Sequence, residues 1–144
     1  MDEKVNIFAE KEFPAEQEAV EEILGWVEEQ TMQYLDMPAA MHLQLATEEA
    51  VVNVVNYAYD GIESEKRIVK LKIGEEAACF FLELVDYGAP FNPLKDIHAN
   101  PSLTLEERVD GGGWGRALIL KVTDQASYVY RNHKNVLRLE KNKE

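Results

Sequence analysis

Two apolar segments in the middle of the chain lie so close together that they constrain the fold more than any other feature. Residues 67–73 and 77–85 are rich in Ile, Val, Leu and Phe and are typical of strands, and only Gly74-Glu75-Glu76 separates them. Strands joined by so short a turn form a hairpin and pair antiparallel, whereas parallel strands need a long crossover between them. The centre of the chain therefore predicts an antiparallel pair.

The remaining periodic segments complete an α+β pattern. A short strand is predicted at residues 4–9, and Pro14 is expected in the first turn of an amphipathic helix with an acidic outer face. The other predicted elements are a second helix after Pro38 at 39–58 (closed by Gly61), a third at 116–124, and a hairpin of strands 127–131 and 136–139 around residues 132–135. Because helices and strand pairs are segregated along the chain, this order favours an α+β fold: a two-layer sandwich of a mixed, largely antiparallel sheet covered on one face by helices.

The length of the chain and its net charge limit the number of domains and the kinds of partner that we expect. The chain has 144 residues, so we expect one domain over residues 1–144. Lys and Arg total 15 against 27 Asp and Glu, a formal net charge of −12. Binding to nucleic acid or to anionic membrane relies on basic side chains, so this balance argues against both kinds of partner. Any anion must be bound at a local site that overrides the field of the protein.

The cysteine content and the N-terminal residues indicate a reduced, cytoplasmic setting. Cys79 is the only cysteine, which excludes an internal disulfide and a cysteine-based zinc site, and its apolar surroundings in the sequence predict a buried thiol. The first residues, Met1-Asp2-Glu3-Lys4, are acidic and are not expected to form a signal peptide. No run of about 18 apolar residues predicts a membrane span.

The segment from Asp86 to Gly115 shows no sustained periodicity and is rich in Gly, Pro, Asn and Asp. Loops of about 30 residues are uncommon inside compact domains and are usually functional or mobile. This one ends in Asp110-Gly111-Gly112-Gly113-Trp114-Gly115-Arg116, directly before a predicted helix. Such glycines let backbone N–H groups converge, and a helix N-terminus adds partial positive charge, so the run predicts an anion site of the phosphate type. A flexible hinge is the alternative interpretation.

Two further patterns place polar side chains among apolar ones. Glu49 and Asn53 are four residues apart and therefore lie on one face of the second helix, where their apolar neighbours leave them in need of partners. Alternatively, Glu49 faces solvent and Asn53 caps a neighbouring loop. Asp86 ends an apolar strand and Gly88 follows it, which suits a carboxylate that accepts a hydrogen bond from a ligand amine. An ordinary Asx turn is the alternative for this pair.

The order of these features resembles the histidine-kinase-like (GHKL) ATPases. It runs from E-x-x-x-N on a helix, through D-x-G after a strand and a long loop, to G-G-x-G at the start of a helix. The chain is most similar to the stand-alone anti-sigma regulatory factors, which act as serine/threonine kinases, and the resemblance extends from about Val5 to Lys141. Its most specific parts are the blocks at 86–93 and 112–119. The resemblance implies the Bergerat-type ATP-binding fold.

The resemblance also implies a role for each of these residues. Glu49 would be the general base, and Asn53 would contribute to ATP binding by coordinating Mg²⁺. Asp86 would accept a hydrogen bond from the adenine amino group, and Gly88 would let the base approach the backbone. The remaining ATP-binding residues implied are Gly112, Gly113 and Gly115, of which the last two would bring amides to the phosphates.

Other positions at the implied site are less regular. Residues from about 94 to 110 would form a lid over the nucleotide, and Asn135 would line the adenine end. Three positions depart from the family pattern. Tyr57 stands where many relatives carry His, Pro90 replaces the second glycine of D-x-G-x-G, and Arg116 occupies a usually apolar position. Arg116 is expected either to reach a phosphate or to face solvent.

The function implied by the resemblance is that of an ATP- and Mg²⁺-dependent serine/threonine protein kinase. Its substrate would be an anti-sigma-factor antagonist with a STAS domain, and it would regulate a sigma factor by partner switching, with homodimerisation by analogy. A second hypothesis is a non-catalytic, nucleotide-dependent binding module that sequesters a partner. The catalytic half of a two-component histidine kinase ranks last, because no phosphoacceptor helical hairpin is expected ahead of the ATPase core and His42, His98 and His133 look incidental.

Overall fold

The computed structural model describes residues 4–61, 67–95 and 113–143. In chain order the elements are β1 (Val5–Pro14), a 3-10 turn (Gln17–Ala19), α1 (Val20–Tyr34), α2 (Met37–Asn53), a π-helical turn (Val54–Ala58), β2 (Ile68–Glu76), β3 (Cys79–Asp86), α3 (Gly113–Val122), β4 (Gln125–Arg131) and β5 (Lys134–Asn142). The strands form one sheet in the order β1-β2-β3-β5-β4, and each neighbouring pair is antiparallel. The predicted α+β class and both predicted hairpins are confirmed.

The helices cover one face of the sheet, and the core lies between the two layers. Burial alternates along β2 and β5, as expected for strands with one face against helices. The fully buried side chains of this interface include Ile23 and Val27 of α1, Leu43 and Val51 of α2, Ile119 of α3, and Leu71, Leu82 and Leu139 of the sheet. None of the helices within the described ranges is long and apolar enough to cross a membrane.

The turn between β2 and β3 lies later than predicted. We expected it at Gly74-Glu75-Glu76, but β2 continues through these residues and the chain turns at Ala77-Ala78, with Ala77 at φ +55°. Gly74 instead allows β1 to come close, since a Cβ built on it would lie 2.3 Å from the backbone oxygen of Asn6. The register of β1 shifts nearby, between Ile7 and Ala9. This glycine therefore serves an irregular strand pairing rather than a turn.

Pro14 also has a different place from the one predicted. It is the last residue of β1, opposite Ile68, and the α1 helix begins only at Val20. Proline is tolerated there because β1 is an edge strand, whose outward side forms no ladder hydrogen bonds. The helix that has a proline in its first turn is α2. There the Asp36 side chain caps the helix by accepting a hydrogen bond from the Ala39 N–H at 3.0 Å.

The C-terminal hairpin determines which residues face each other at one end of the sheet. β4 and β5 are joined by Asn132-His133, both with positive φ (+53° and +62°), as in two-residue hairpin turns. The pairing of β5 with β3 then places Asn135 directly opposite Asp86. The end of β3 and the start of β5 thus meet beneath the C-terminal end of α2.

Candidate functional site

A cavity of about 270 Å³ lies between the C-terminal part of α2 with its π-helical turn, the end of β3, and the β4–β5 hairpin. Its apolar lining includes Ala50, Val54, Leu84 and Leu137, and its polar lining includes Asn53, Asp86 and Asn135. An apolar cavity with a few convergent polar groups is typical of a small-molecule site. The structure therefore brings Asn53 and Asp86, two of the predicted site residues, to one cavity.

Asp86 is the best-defined polar group of this cavity. It is only 6% exposed, and its Oδ1 accepts hydrogen bonds from the Gly88 N–H and the Asn135 side-chain amide, both at 2.9 Å. In the described part of the chain no hydrogen-bond donor reaches Oδ2. Burial raises the pKa of Asp86, and the two hydrogen bonds oppose that rise. The geometry suits a carboxylate that accepts a hydrogen bond from a ligand in an apolar surrounding.

Gly88 packs the loop after β3 against the π-helical turn. A Cβ built on Gly88 would lie 2.1 Å from the Ala58 backbone oxygen, and the next residue, Ala89, donates its N–H to that oxygen at 3.3 Å. Gly88 is buried and does not line the cavity. A glycine is required here because the loop and the helix end meet backbone to backbone. Its implied contact with a base stays a prediction.

Asn53 is the last residue of α2 and lines the cavity. Its Nδ2 is buried, and no hydrogen-bond partner exists for it among the described residues. A buried donor without a partner costs about 1–3 kcal/mol of stability. The role of Asn53 in binding stays a prediction.

Glu49 lies one turn before Asn53 on the same helix and is half-buried. Burial raises its pKa, and the neighbouring Glu48 raises it further. A raised pKa suits a proton acceptor that must later release its proton. However, Glu49 does not line the cavity itself, so the structure places it beside the site and not in its wall.

The residues present fit a Mg²⁺ ion that is held mainly by its nucleotide. Only the side-chain oxygen of Asn53 could hold the ion, because amide oxygens are among the ligands that Mg²⁺ accepts, whereas its unpartnered Nδ2 is a hydrogen-bond donor. Among the described residues no group of three or more His, Cys, Asp or Glu side chains is arranged to hold a metal.

The glycine-rich run is described only in part. Gly112 lies outside the described residues, as does most of the predicted lid, residues 96–110. Gly113 begins α3 and Gly115 lies in its first turn, where backbone N–H groups have no acceptor within the helix. The helix thus begins earlier than the predicted residue 116. Phosphate binding by these amides stays a prediction.

Arg116 contacts the loop after β3, and its expected contact with a phosphate stays a prediction. Its Nη1 donates to the Lys95 backbone oxygen at 3.3 Å, and its guanidinium lies 5.8 Å from the centre of the Phe91 ring. The side chain therefore joins the start of α3 to the loop after β3, on which Phe91 lines the cavity. The unusual arginine has a structural explanation, because it supports this wall of the cavity.

Sequence reasoning missed two tyrosines that hold the site together. Tyr59 donates its hydroxyl to the Ile68 oxygen at 2.5 Å and accepts the Tyr87 N–H at 2.7 Å, which ties the end of the π-helical turn to β2 and β3. Tyr128 of β4 lines the cavity and donates to Asn135 Oδ1 at 2.5 Å. Tyr57, at the position where relatives carry His, also lines the cavity and is 66% exposed. No local motif marks Tyr59 and Tyr128, because the end of the π-helical turn places the first and strand register places the second.

Comparison with known proteins agrees with this fold and site. A profile of the histidine kinase-like ATPase domain family matches residues 13–141, and the chain therefore belongs to that family, as its motifs predicted. The assignment implies an ATP-binding domain. A chain in the crystal structure of the SiaB-SiaC complex from Pseudomonas aeruginosa is similar, with a TM-score of 0.70, 17% identity, and coverage of 94% of this chain and 89% of that one. At this identity the similarity shows a shared fold. No curated protein sequence matches this chain.

Proposed function

We propose that this protein is an ATP-dependent serine/threonine protein kinase of the anti-sigma regulatory type. The observation that carries the proposal is Asp86, a buried carboxylate whose Oδ1 is held by two hydrogen bonds and whose Oδ2 is left for a ligand. Adenine presents an amino donor on an otherwise flat, largely apolar ring system, so it complements one acceptor in an apolar cavity. Family membership supports ATP as the nucleotide.

The phosphate end of the nucleotide would lie toward Asn53 and the start of α3. Asn53 would bind Mg²⁺, which supplies charge neutralisation at the phosphates when it is bound. The N-terminal amides of α3, including those of Gly113 and Gly115, would donate to phosphate oxygens. The acidic protein would therefore bind a polyanion through backbone dipoles and a cation, not through a basic surface.

Glu49 is the proposed general base for phosphoryl transfer. It would accept the proton of a serine or threonine hydroxyl on a partner protein while that oxygen forms a bond to the γ-phosphorus of ATP. The bond between the γ-phosphorus and the β,γ-bridging oxygen breaks, and ADP leaves with the electron pair. The position of Glu49 beside the cavity suits this role, because the hydroxyl arrives from a partner and not from the nucleotide pocket.

The proposed substrate is an anti-sigma-factor antagonist with a STAS domain. The similar structure comes from a complex of two proteins, SiaB and SiaC, which supports a partner-protein system for this fold. Phosphorylation would add about −1.5 to −2 charges to the partner, and the net charge of −12 on this chain would repel them. We also propose that the protein controls a sigma factor by exchange of partners, and that it acts as a homodimer.

One observation favours a second candidate function, a nucleotide-dependent binding module without phosphoryl transfer. Glu49 is absent from the cavity lining, whereas Asp86 and Asn53 are present. Binding of ATP thus has more direct structural support than transfer. The Glu49→Gln variant separates the two functions, since it keeps the size of the side chain and removes its ability to accept a proton.

Calorimetric titration with ATP, with Mg²⁺ and with EDTA, tests the binding site. We expect saturable, Mg²⁺-dependent binding that Asp86→Asn weakens by about 10- to 100-fold, because a hydrogen bond to a charged acceptor is lost. Glu49→Gln is the matched control and should bind ATP as the wild type does. Absence of binding by the wild type at millimolar ATP would overturn the proposal.

Transfer of labelled γ-phosphate to a STAS-domain antagonist tests catalysis. Glu49→Gln should lower the transfer rate by about 10²-fold or more at unchanged ATP affinity. If the wild type releases such a partner on binding ATP but transfers no phosphate to it, the binding-module function is favoured instead.

A further inference from the structure

Asn135, at the start of β5, is the point where the walls of the cavity are joined. It is 5% exposed and lies opposite Asp86 in the sheet. Its Nδ2 donates to Asp86 Oδ1 at 2.9 Å, to the Ala89 oxygen at 3.0 Å and to the Gly88 oxygen at 3.3 Å. One amide group therefore contacts both the carboxylate and the loop that follows it.

The other end of the same amide is also engaged. Its Oδ1 accepts the Phe91 N–H at 3.1 Å and the Tyr128 hydroxyl at 2.5 Å. These partners fix the orientation of the side chain, because the NH₂ group faces oxygens and the oxygen faces donors. A flipped amide would set its oxygen against a carboxylate and two carbonyl oxygens.

We propose that Asn135 is the positioning residue of the nucleotide site: it presents Asp86 to the cavity and holds residues 89–91 as the cavity wall. This inference rests on the proposed function, because the ligand it serves is ATP. Asn135 binds Oδ1 of Asp86 and leaves Oδ2 toward the ligand, so the carboxylate is oriented before the ligand arrives. Such preorganisation raises affinity because the groups are already ordered in the free protein.

Asn135 also influences the charge of Asp86. Burial raises the pKa of this carboxyl, while the Gly88 N–H and the Asn135 amide lower it. Among the described residues, the titratable groups that face Asp86 from other elements are the phenols of Tyr59, after the π-helical turn, and Tyr128, on β4. Burial raises the pKa of both phenols, so they are neutral in the range where the carboxyl titrates. Removal of the amide should therefore raise the pKa of Asp86 further.

A double-mutant cycle tests this inference. Asn135→Ala should weaken ATP binding by about 10- to 100-fold near neutral pH and shift the acid limit of binding to higher pH. In an Asp86→Asn background the same change should weaken binding by a smaller factor, because the carboxylate that Asn135 positions is already gone and only the loop contacts remain to be lost. Tyr130→Phe is the matched control: Tyr130 lies on the same strand as Tyr128 but does not line the cavity, so its variant should bind ATP as the wild type does.

Equal losses in both backgrounds, or an unchanged pH profile, would overturn the inference and leave the proposed function standing. If the wild type does not bind ATP, both the inference and the proposed function are overturned. A second measurement needs no nucleotide: the pKa of the Asp86 carboxyl, followed by ¹³C NMR, should be higher in Asn135→Ala than in the wild type. Should that variant not fold, Asn135→Thr keeps a donor for Asp86 without the loop contacts, so it should keep the Asp86 pKa and still bind ATP more weakly. Wild-type ATP affinity in Asn135→Thr would overturn the wall-holding part of the inference.

Discussion

The two ends of the same strand pair, β3 and β5, are built in opposite ways. On the face toward the helices, the middle of the pair is apolar, with Leu82 and Leu84 of β3 beside Leu137 and Leu139 of β5. At one end this row continues with an aromatic residue, Phe80. At the other end it finishes with Asp86 opposite Asn135. A single strand pair thus changes from an aromatic end to a polar end.

The aromatic end is closed by stacked rings. Phe8 of β1 and Tyr34 of α1 stack at a centroid distance of 4.3 Å with 9° between their planes. Phe80 packs against both at 6.4 and 5.9 Å and is fully buried. Aromatic packing of this kind joins strand, helix and sheet centre. Lys141 of β5, opposite Phe80, is also buried, but its ammonium has a partner, since it donates to the Val122 oxygen at 3.1 Å.

The polar end keeps a cavity and groups that are not fully satisfied. Asp86 has an oxygen without a donor among the described residues, and Asn53 has a buried nitrogen without an acceptor there. Both features lower the stability of the free protein and suit a ligand. The comparison teaches that one end supplies stability while the other gives some of it up for binding.

Phe80→Ala should separate the two ends most clearly. Truncation of a fully buried aromatic side chain should lower the free energy of unfolding by about 3–5 kcal/mol, as measured by urea denaturation. The ATP affinity of the folded fraction should stay within about 3-fold of the wild type, because additivity holds for distant sites. A loss of affinity as large as the loss of stability would mean that the ends are coupled.

Gly88→Ala tests the polar end through its backbone. The new Cβ would lie 2.1 Å from the Ala58 oxygen, so the loop must move away from the π-helical turn. We expect a loss of about 1–3 kcal/mol in unfolding free energy, together with weaker ATP binding, because residues 89–91 of the cavity wall move with it. Urea denaturation and calorimetry measure the two effects.

Gly25→Ala is the matched glycine control. Gly25 lies in the middle of α1, and no atom lies within 4 Å of a Cβ built there. Alanine favours a helix over glycine, so we expect a gain of about 0.4–1 kcal/mol in unfolding free energy and unchanged ATP affinity. If both glycine variants changed affinity alike, the special contact at Gly88 would not be the cause.

The sequence predicted the aromatic and apolar parts of the fold better than the turns. Periodicity identifies strands and helices because burial repeats along each element, so β2, β3, α1 and α2 were all predicted. It placed the β2–β3 turn wrongly at Gly74, because a glycine that permits a close strand approach has the same local pattern as one that makes a turn. Pro14 misled the prediction for a similar reason, since an edge strand and a helix start both accept proline.

At the candidate site, the sequence predicted those residues that belong to a recognisable local motif. Asp86 and Asn53 were found in this way, and the structure brings both to the cavity. The contacts of Tyr59 and Tyr128, and the central place of Asn135 among them, were not predicted. They depend on the register of β5 against β3 and on the end of the π-helical turn, which no single segment encodes. The assigned roles of the site residues remain predictions.

The smallest expected effect concerns the stability cost of Asp86 itself. Burial raises the pKa of this carboxyl in the folded protein, so the folded state keeps its proton to higher pH than the unfolded chain does. Between the two pKa values the folded state binds more protons, and the unfolding free energy therefore falls as the pH rises through that window.

Asp86→Asn removes this pH-dependent contribution, and the side-chain oxygen of the new asparagine can still accept hydrogen bonds from Gly88 and Asn135. The variant should gain stability relative to the wild type as the pH rises, by less than Gly88→Ala loses, while it binds ATP poorly. Urea denaturation of both proteins from about pH 4 to about pH 8 measures the difference. A variant that is less stable than the wild type at neutral pH would show that the hydrogen bonds of the ionised carboxylate outweigh its burial, and that the polar end stabilises the fold after all.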